Sequence, residues 1–197
     1  MTQDFDILID SYLQNNIGID TLFLSDELSL GLQQNMLDLQ KENKMIAAQI
    51  GNDALKDRQQ TMRSDKIYWM DKSHDNAFEN EFLQLAENFI RHLNQTCYTG
   101  INDYEFHYAL YEQGSSYKRH KDQFKNDSNR KYSLISYLNN DWTDMDGGQL
   151  CVYQHGEVQK ILPHRRTAVF FKSDEMEHEV QLANRARLSI TGWLKQI

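Results

Sequence analysis

From Asp103 onward the apolar residues of this chain alternate with polar ones, and that change of period confines the fold more than any other feature of the sequence. The runs YEFHYALY, KYSLISYL, GQLCVYQ, TAVFF, EVQL and RLSITGW carry it. Successive side chains of a strand point to opposite faces, so each run has one face to bury. Turn-forming residues separate the runs at 113–116, 146–148, 155–156 and 183–185. Many short strands joined by tight turns, with no helices between them, protect their edges by closing into a jelly roll or barrel.

The first hundred residues keep a helical period instead. Phe5, Ile7, Leu8, Tyr12 and Leu13 recur at helical spacing, and so do Leu28, Leu30, Leu32, Met36, Leu37 and Leu39, behind Ser25 and Asp26 as caps. A third stretch over about residues 76–93 lines up Phe78, Phe82, Leu85, Phe89 and Ile90. The expected fold is therefore α+β with a mainly β core, a cupin-like jelly roll with N-terminal helices packed on its outside. At 197 residues the chain is the size of one domain. Residues 1–100 are expected to form a helical support region with a β-edge segment near 63–70, and 101–197 the β core.

A net charge of −8 offers no footprint for nucleic acid or for an anionic membrane surface. Cys97 and Cys151 form no metal or redox spacing, which suits a reducing compartment. The start MTQDFDILIDSYL is acidic where a signal peptide is basic, and no apolar run approaches 18 residues. A cytoplasmic location, away from membranes, is expected.

His120 and Asp122 stand two apart, so on an extended segment they face the same way and can share a metal. His178 follows 56 residues later at the start of another strand-like run. Two histidines and one carboxylate are the ingredients of the facial triad that leaves positions open on a non-haem iron. A structural zinc site would instead be closed by four protein ligands. His74, His92, His107, His155 and His164 are read as structural or solvated. Arg187 comes nine residues after His178, about one strand and one tight turn, which brings a planar fork of donors back to the metal at the depth of a five-carbon dicarboxylate. Period two places Arg187, Ser189, Thr191 and Trp193 on one face of the last strand. If that face is the interior, Tyr137 can donate to the same carboxylate, with Ile135, Leu150 and Trp193 as dry walls.

The segments RSDKIYW (63–69), FHYALY (106–111), YKRHKD (117–122), SYLNNDW (136–142), GGQL (147–150), FFKSD (170–174), HEV (178–180) and RLSITGW (187–193) follow one another in an order that resembles the prolyl 4-hydroxylase branch of the 2-oxoglutarate oxygenases. That type includes the hypoxia-inducible factor prolyl hydroxylases and their bacterial counterparts. The resemblance implies a double-stranded β-helix, Fe(II) held by His120, Asp122 and His178, and 2-oxoglutarate on Arg187 and Tyr137 with Tyr111 and Thr191 nearby. It implies a dioxygenase that hydroxylates a proline in a protein or peptide, using O2 and releasing succinate and CO2, with ascorbate as a candidate reductant. It further implies that Asp65 meets Arg130 at the entrance, beside Trp69, with 67–76 a mobile loop over the substrate, and a monomeric enzyme. One departure is Ser64, where the family has glycine. A nucleic-acid demethylase of the same superfamily would carry arginine where this chain has Trp193. Two alternatives stay open: the same chemistry on a small molecule or another residue, and a non-catalytic metal-binding cupin-like module.

Overall fold

The computed structural model describes residues 4–48, 62–123 and 128–197. Three α-helices are described: α1 (Asp6–Asn15), α2 (Asp26–Lys41) and α3 (Ala77–Cys97). The strands are β1 (Gly18–Asp20), β2 (Ile46–Ala47), β3 (Lys66–Trp69), β4 (Asp103–Tyr111), β5 (Tyr117–His120), β6 (Arg130–Tyr137), β7 (Leu150–Gln154), β8 (Glu157–Ile161), β9 (Ala168–Lys172), β10 (Glu177–Val180) and β11 (Arg187–Lys195). They make two antiparallel sheets, one ordered β1-β9-β6-β11-β4-β3-β2 and the other β5-β10-β7-β8. This is the jelly roll that the alternation calls for, with helices outside.

The larger sheet is buried on both faces, and the alternation divides its residues between two cores. Phe106, Tyr108, Leu110, Phe170 and Ile190 pack outward against Leu8, Leu28, Leu32, Phe82 and Phe89 of the helices. Ala109, Tyr111, Ile135, Tyr137 and Phe171 point inward, toward Leu150, Val152 and Val180 of the smaller sheet. Helix starts follow from local chemistry. Ser25 Oγ accepts from Leu28 N at 3.0 Å, and Asn76 Oδ1 accepts from both Phe78 N and Glu79 N at 3.0 Å, which satisfies amides that a first turn leaves open.

Several expectations need correction. Ile7, Leu13 and Leu30 are exposed, because the buried stripe of α1 runs through Phe5, Leu8 and Ile9 and that of α2 through Leu28, Leu32, Met36 and Leu39. Residues 67–69 are a strand, not a loop, since β3 pairs with β4 from Lys66↔Leu110 to Trp69↔His107. A 3-10 turn at Lys72–His74, held by Asp71 Oδ1 accepting from Ser73 N at 2.8 Å, then leads to the α3 cap. Nor does β3 form the edge of its sheet, which is β2. The run expected at 179–182 starts earlier, at Glu177, and β8 was not anticipated: residues 157–160 are all exposed, so only backbone pairing to β7 holds them.

Candidate active site

His120 closes β5 and lies directly opposite His178 of β10. Asp122 comes just after β5 ends, not on the strand itself, and the turn there brings it back to both histidines. One ligand atom from each residue falls within 4.8 Å of the others. The carboxylate oxygens of Asp122 stand 3.4 Å from His120 Nε2 and 3.6 Å from His178 Nε2. Both imidazoles are fixed from behind: His120 Nδ1 donates to the Lys118 carbonyl at 2.7 Å and His178 Nδ1 to that of Met176 at 3.2 Å. A carbonyl only accepts, so each ring carries its proton on Nδ1 and turns the Nε2 lone pair toward Asp122.

Asp122 Oδ2 accepts from Ser133 Oγ at 2.7 Å, and that hydroxyl lies 2.9 Å from Ser173 Oγ. Burial alone would raise the Asp122 carboxyl, but the two histidines and Ser133 outweigh it and hold the group well below the usual carboxylate range. Burial pushes His178 below its ordinary value against the pull of Asp122. A buried carboxylate facing two imidazole nitrogens is the donor set a divalent cation needs. His120 Nε2 is buried without a partner, and such an atom is destabilising by about 1–3 kcal/mol unless something occupies the space before it. The residues therefore fit a metal, and three ligands leave it open.

Arg187 opens β11 opposite Tyr111 and is 1% exposed. Its Nε donates to the Gly148 carbonyl at 2.8 Å and Nη1 to Ser189 Oγ at 3.2 Å, while no carboxylate among the described residues pairs with it. Gly148 permits the approach: its φ is +63°, and a Cβ there would stand 3.0 Å from Arg187 Cδ and 3.2 Å from the Trp142 ring. The guanidinium carbon lies 5.0 Å from the ring centroids of both Tyr111 and Tyr137. The Tyr137 hydroxyl is also buried and unpartnered, and burial pushes it up to about 12 despite Arg187, so it remains a neutral donor. A buried guanidinium without a counter-ion is costly by several kcal/mol, which an incoming carboxylate relieves.

A cavity of about 100 Å³ joins the two halves. A single water needs about 10–15 Å³ of such space, so the cavity has room for a small dicarboxylate beside a metal. Ile135, Leu150, Val180 and Thr191 wall it between the triad and Arg187. Register explains why these residues share a face: Thr191 lies opposite Ile135 and His107, and Ser189 opposite Tyr137.

The family model of the 2OG-Fe(II) oxygenase superfamily matches residues 106–195. A prolyl-4-hydroxylase from Pseudomonas putida is 30% identical over 98% of this chain and 100% of its own, with a TM-score of 0.89. The chain belongs to the 2OG-Fe(II) oxygenase superfamily. A prolyl hydroxylase from Trichoplax adhaerens, solved in complex with a peptide fragment of a hypoxia inducible factor oxygen degradation domain, is 25% identical to this oxygenase over 97% of the chain and 88% of its own, with a TM-score of 0.85. Prolyl 4-hydroxylases from Phytophthora capsici share the fold at 17% identity, 100% of this chain matching 66% of theirs with a TM-score of 0.77. The superfamily works with Fe(II), 2-oxoglutarate and O2.

The rim of the oxygenase cavity departs from the expected arrangement. Asp65 does not meet Arg130. Arg63, two residues away, donates to Asp65 Oδ1 through Nε at 2.7 Å, and Arg130 donates to Glu105 Oε1 at 2.9 Å while stacking 3.4 Å over Trp193. Glu105 and Arg130 flank β11 on its two neighbouring strands, which gives Arg130 a nearer carboxylate. Trp69 lines the cavity and is 43% exposed. Sequence reasoning missed Ser133, Gly148 and Tyr117, whose ring stacks on His120 at 3.6 Å. His107, read from the sequence as structural or solvated, lines the cavity, is 2% exposed and has an unpartnered Nδ1.

Proposed function

We propose that this oxygenase hydroxylates a prolyl residue in a peptide or protein, with Fe(II) on His120, Asp122 and His178 and the distal carboxylate of 2-oxoglutarate on Arg187 and Tyr137. The observation that carries the site assignment is the buried Arg187, which pairs with no carboxylate among the described residues and lines the same small cavity as the triad. The prolyl substrate is supported by the likeness to two prolyl hydroxylases, of which one holds a peptide. A cavity filled by metal and co-substrate leaves the target residue at its mouth, which suits a residue presented by a chain better than a free metabolite.

When bound, iron with 2-oxoglutarate and O2 supplies the oxidation that places a hydroxyl on an unactivated carbon, releasing succinate and CO2. The protein's part is positional. The carbonyls of Lys118 and Met176 aim the imidazoles, and Ser133 orients Asp122. Arg187 grips the far end of the co-substrate through a fork that Gly148 and Ser189 hold in place. Ile135, Leu150 and Val180 exclude water from the space between, which limits wasteful oxidation. We read the chain as a single-domain monomer acting in the cytoplasm, with ascorbate able to keep the iron reduced.

Two measurements test this reading. Anaerobic loading with Fe(II) and 2-oxoglutarate should produce the weak visible charge-transfer band of the chelate, lost in Arg187→Ala and His178→Ala. Admitting O2 with a library of proline-containing peptides should then give succinate and peptides heavier by one oxygen. Iron binding without the band would refute the site assignment, and succinate released only with a small molecule would refute the prolyl substrate.

A further inference from the structure

Among the described residues, the buried side-chain polar atoms without a hydrogen-bond partner include His120 Nε2 and the Tyr137 hydroxyl, which face the metal and the co-substrate of the proposed site. His107 Nδ1 and Trp193 Nε1 are in the same condition, both residues line the same cavity, and neither nitrogen has a part in holding the metal or the co-substrate. Their ring centroids are 5.4 Å apart with the planes 31° from parallel, and the exposed Trp69 packs on His107 at 4.9 Å. His107 lies opposite Thr191 on β11, and Trp193 is two residues further along the same inner face. Arg187 is six residues from Trp193, so the His107–Trp193 pair occupies the other end of the cavity from the anion site.

An indole N–H only donates, so whatever satisfies Trp193 must be an acceptor. Burial, reinforced by the nearby Arg63 cation, pushes His107 down to about 3, so its ring is neutral and carries one N–H. Arg130 stacked on Trp193 adds positive potential and favours an electron-rich partner. A peptide carbonyl has the right shape and two lone pairs. A prolyl residue has no N–H of its own, so its backbone presents only carbonyls.

Resting on the prolyl reading above, we propose that His107 Nδ1 and Trp193 Nε1 are paired donors that hold a backbone carbonyl of the substrate beside its target residue, which makes His107 a specificity-determining residue of this oxygenase.

Calorimetric titration of a proline-containing peptide into enzyme loaded with Fe(II) and 2-oxoglutarate, without oxygen, reads this contact apart from turnover. His107→Leu and Trp193→Phe keep bulk and remove a donor, and each should raise the peptide Kd about three- to tenfold. His107→Asn, which keeps a donor near the position of Nδ1, should recover most of that loss. The charge-transfer band of each variant shows whether iron and co-substrate still bind. Peptide affinity within about twofold of wild type in both donor-free variants, with the band intact, overturns the pair. A loss that His107→Asn fails to restore, or one accompanied by loss of the band, also overturns it, because His107 would then serve packing alone. If wild type oxygenates no proline peptide, the prolyl reading fails first. The same titration with whichever substrate stimulates 2-oxoglutarate turnover then decides the pair, and unchanged affinity there overturns it.

Discussion

At the scale of single residues, the site depends on groups that nothing else among the described residues satisfies. Arg187→Lys keeps the charge but loses the fork, and the Gly148 carbonyl and Ser189 hydroxyl then have no planar partner. Its 2-oxoglutarate affinity should fall on the order of 10- to 100-fold, read by titrating the charge-transfer band. Ser133→Ala removes the donor behind Asp122 and should weaken iron binding by about 10- to 100-fold with little change in thermal stability, measured by competition with a chelator. His120, Asp122 and His178 were legible in the sequence through their donor chemistry and Arg187 through its distance of one strand and one turn from His178, although Asp122 reaches the histidines from the turn after β5 and not through strand period. Ser133, Gly148 and His107 were not, since a serine behind a carboxylate or a glycine beside an arginine is defined by strand pairing, which no local pattern records. The mistaken Asp65–Arg130 pairing has the same origin: two charges can be placed near an entrance, but Arg63 and Glu105 compete for them in three dimensions.

At the scale of elements, the two faces of the larger sheet divide the work. The outer face receives the helices, where Phe89 meets Phe5, Phe23 and Phe170 at centroid separations of 5.3, 6.0 and 5.3 Å. Phe89→Ala should destabilise the protein by about 3–5 kcal/mol in urea unfolding. Asn76→Ala removes the cap of α3 and should cost about 1 kcal/mol in the same assay. β4, β6, β9 and β11 could be read as strands because their runs are rich in apolar, aromatic and β-branched residues, which both buried faces of the sheet take up. β1 is only three residues long, and β8 has almost no buried side chain, so neither leaves a hydrophobic period to detect.

At the scale of the whole molecule, a buried neutral histidine ties stability to pH. His107 in the folded state titrates at about 3, against 6.5 when unfolded. Below pH 6.5 the unfolded chain therefore binds a proton that the folded chain refuses, and stability must fall as the pH drops from about 6.5 toward 3. Unfolding of wild type and His107→Asn across that window should show the wild-type slope steeper by up to about 1.4 kcal/mol per pH unit.

The unpartnered atoms at His120 and Tyr137, with the unaccompanied charge of Arg187, lead further. These are groups that iron and a dicarboxylate would satisfy, so binding of either ties to the stability of the fold. A ligand present at about a hundredfold over its Kd adds roughly 2.7 kcal/mol to the folded state. In a living cell that margin governs how often the chain opens to proteases, so its half-life should lengthen when iron and 2-oxoglutarate are plentiful and shorten when either runs low. The abundance of the protein, and not only its turnover, would then follow the nutrient state of its host.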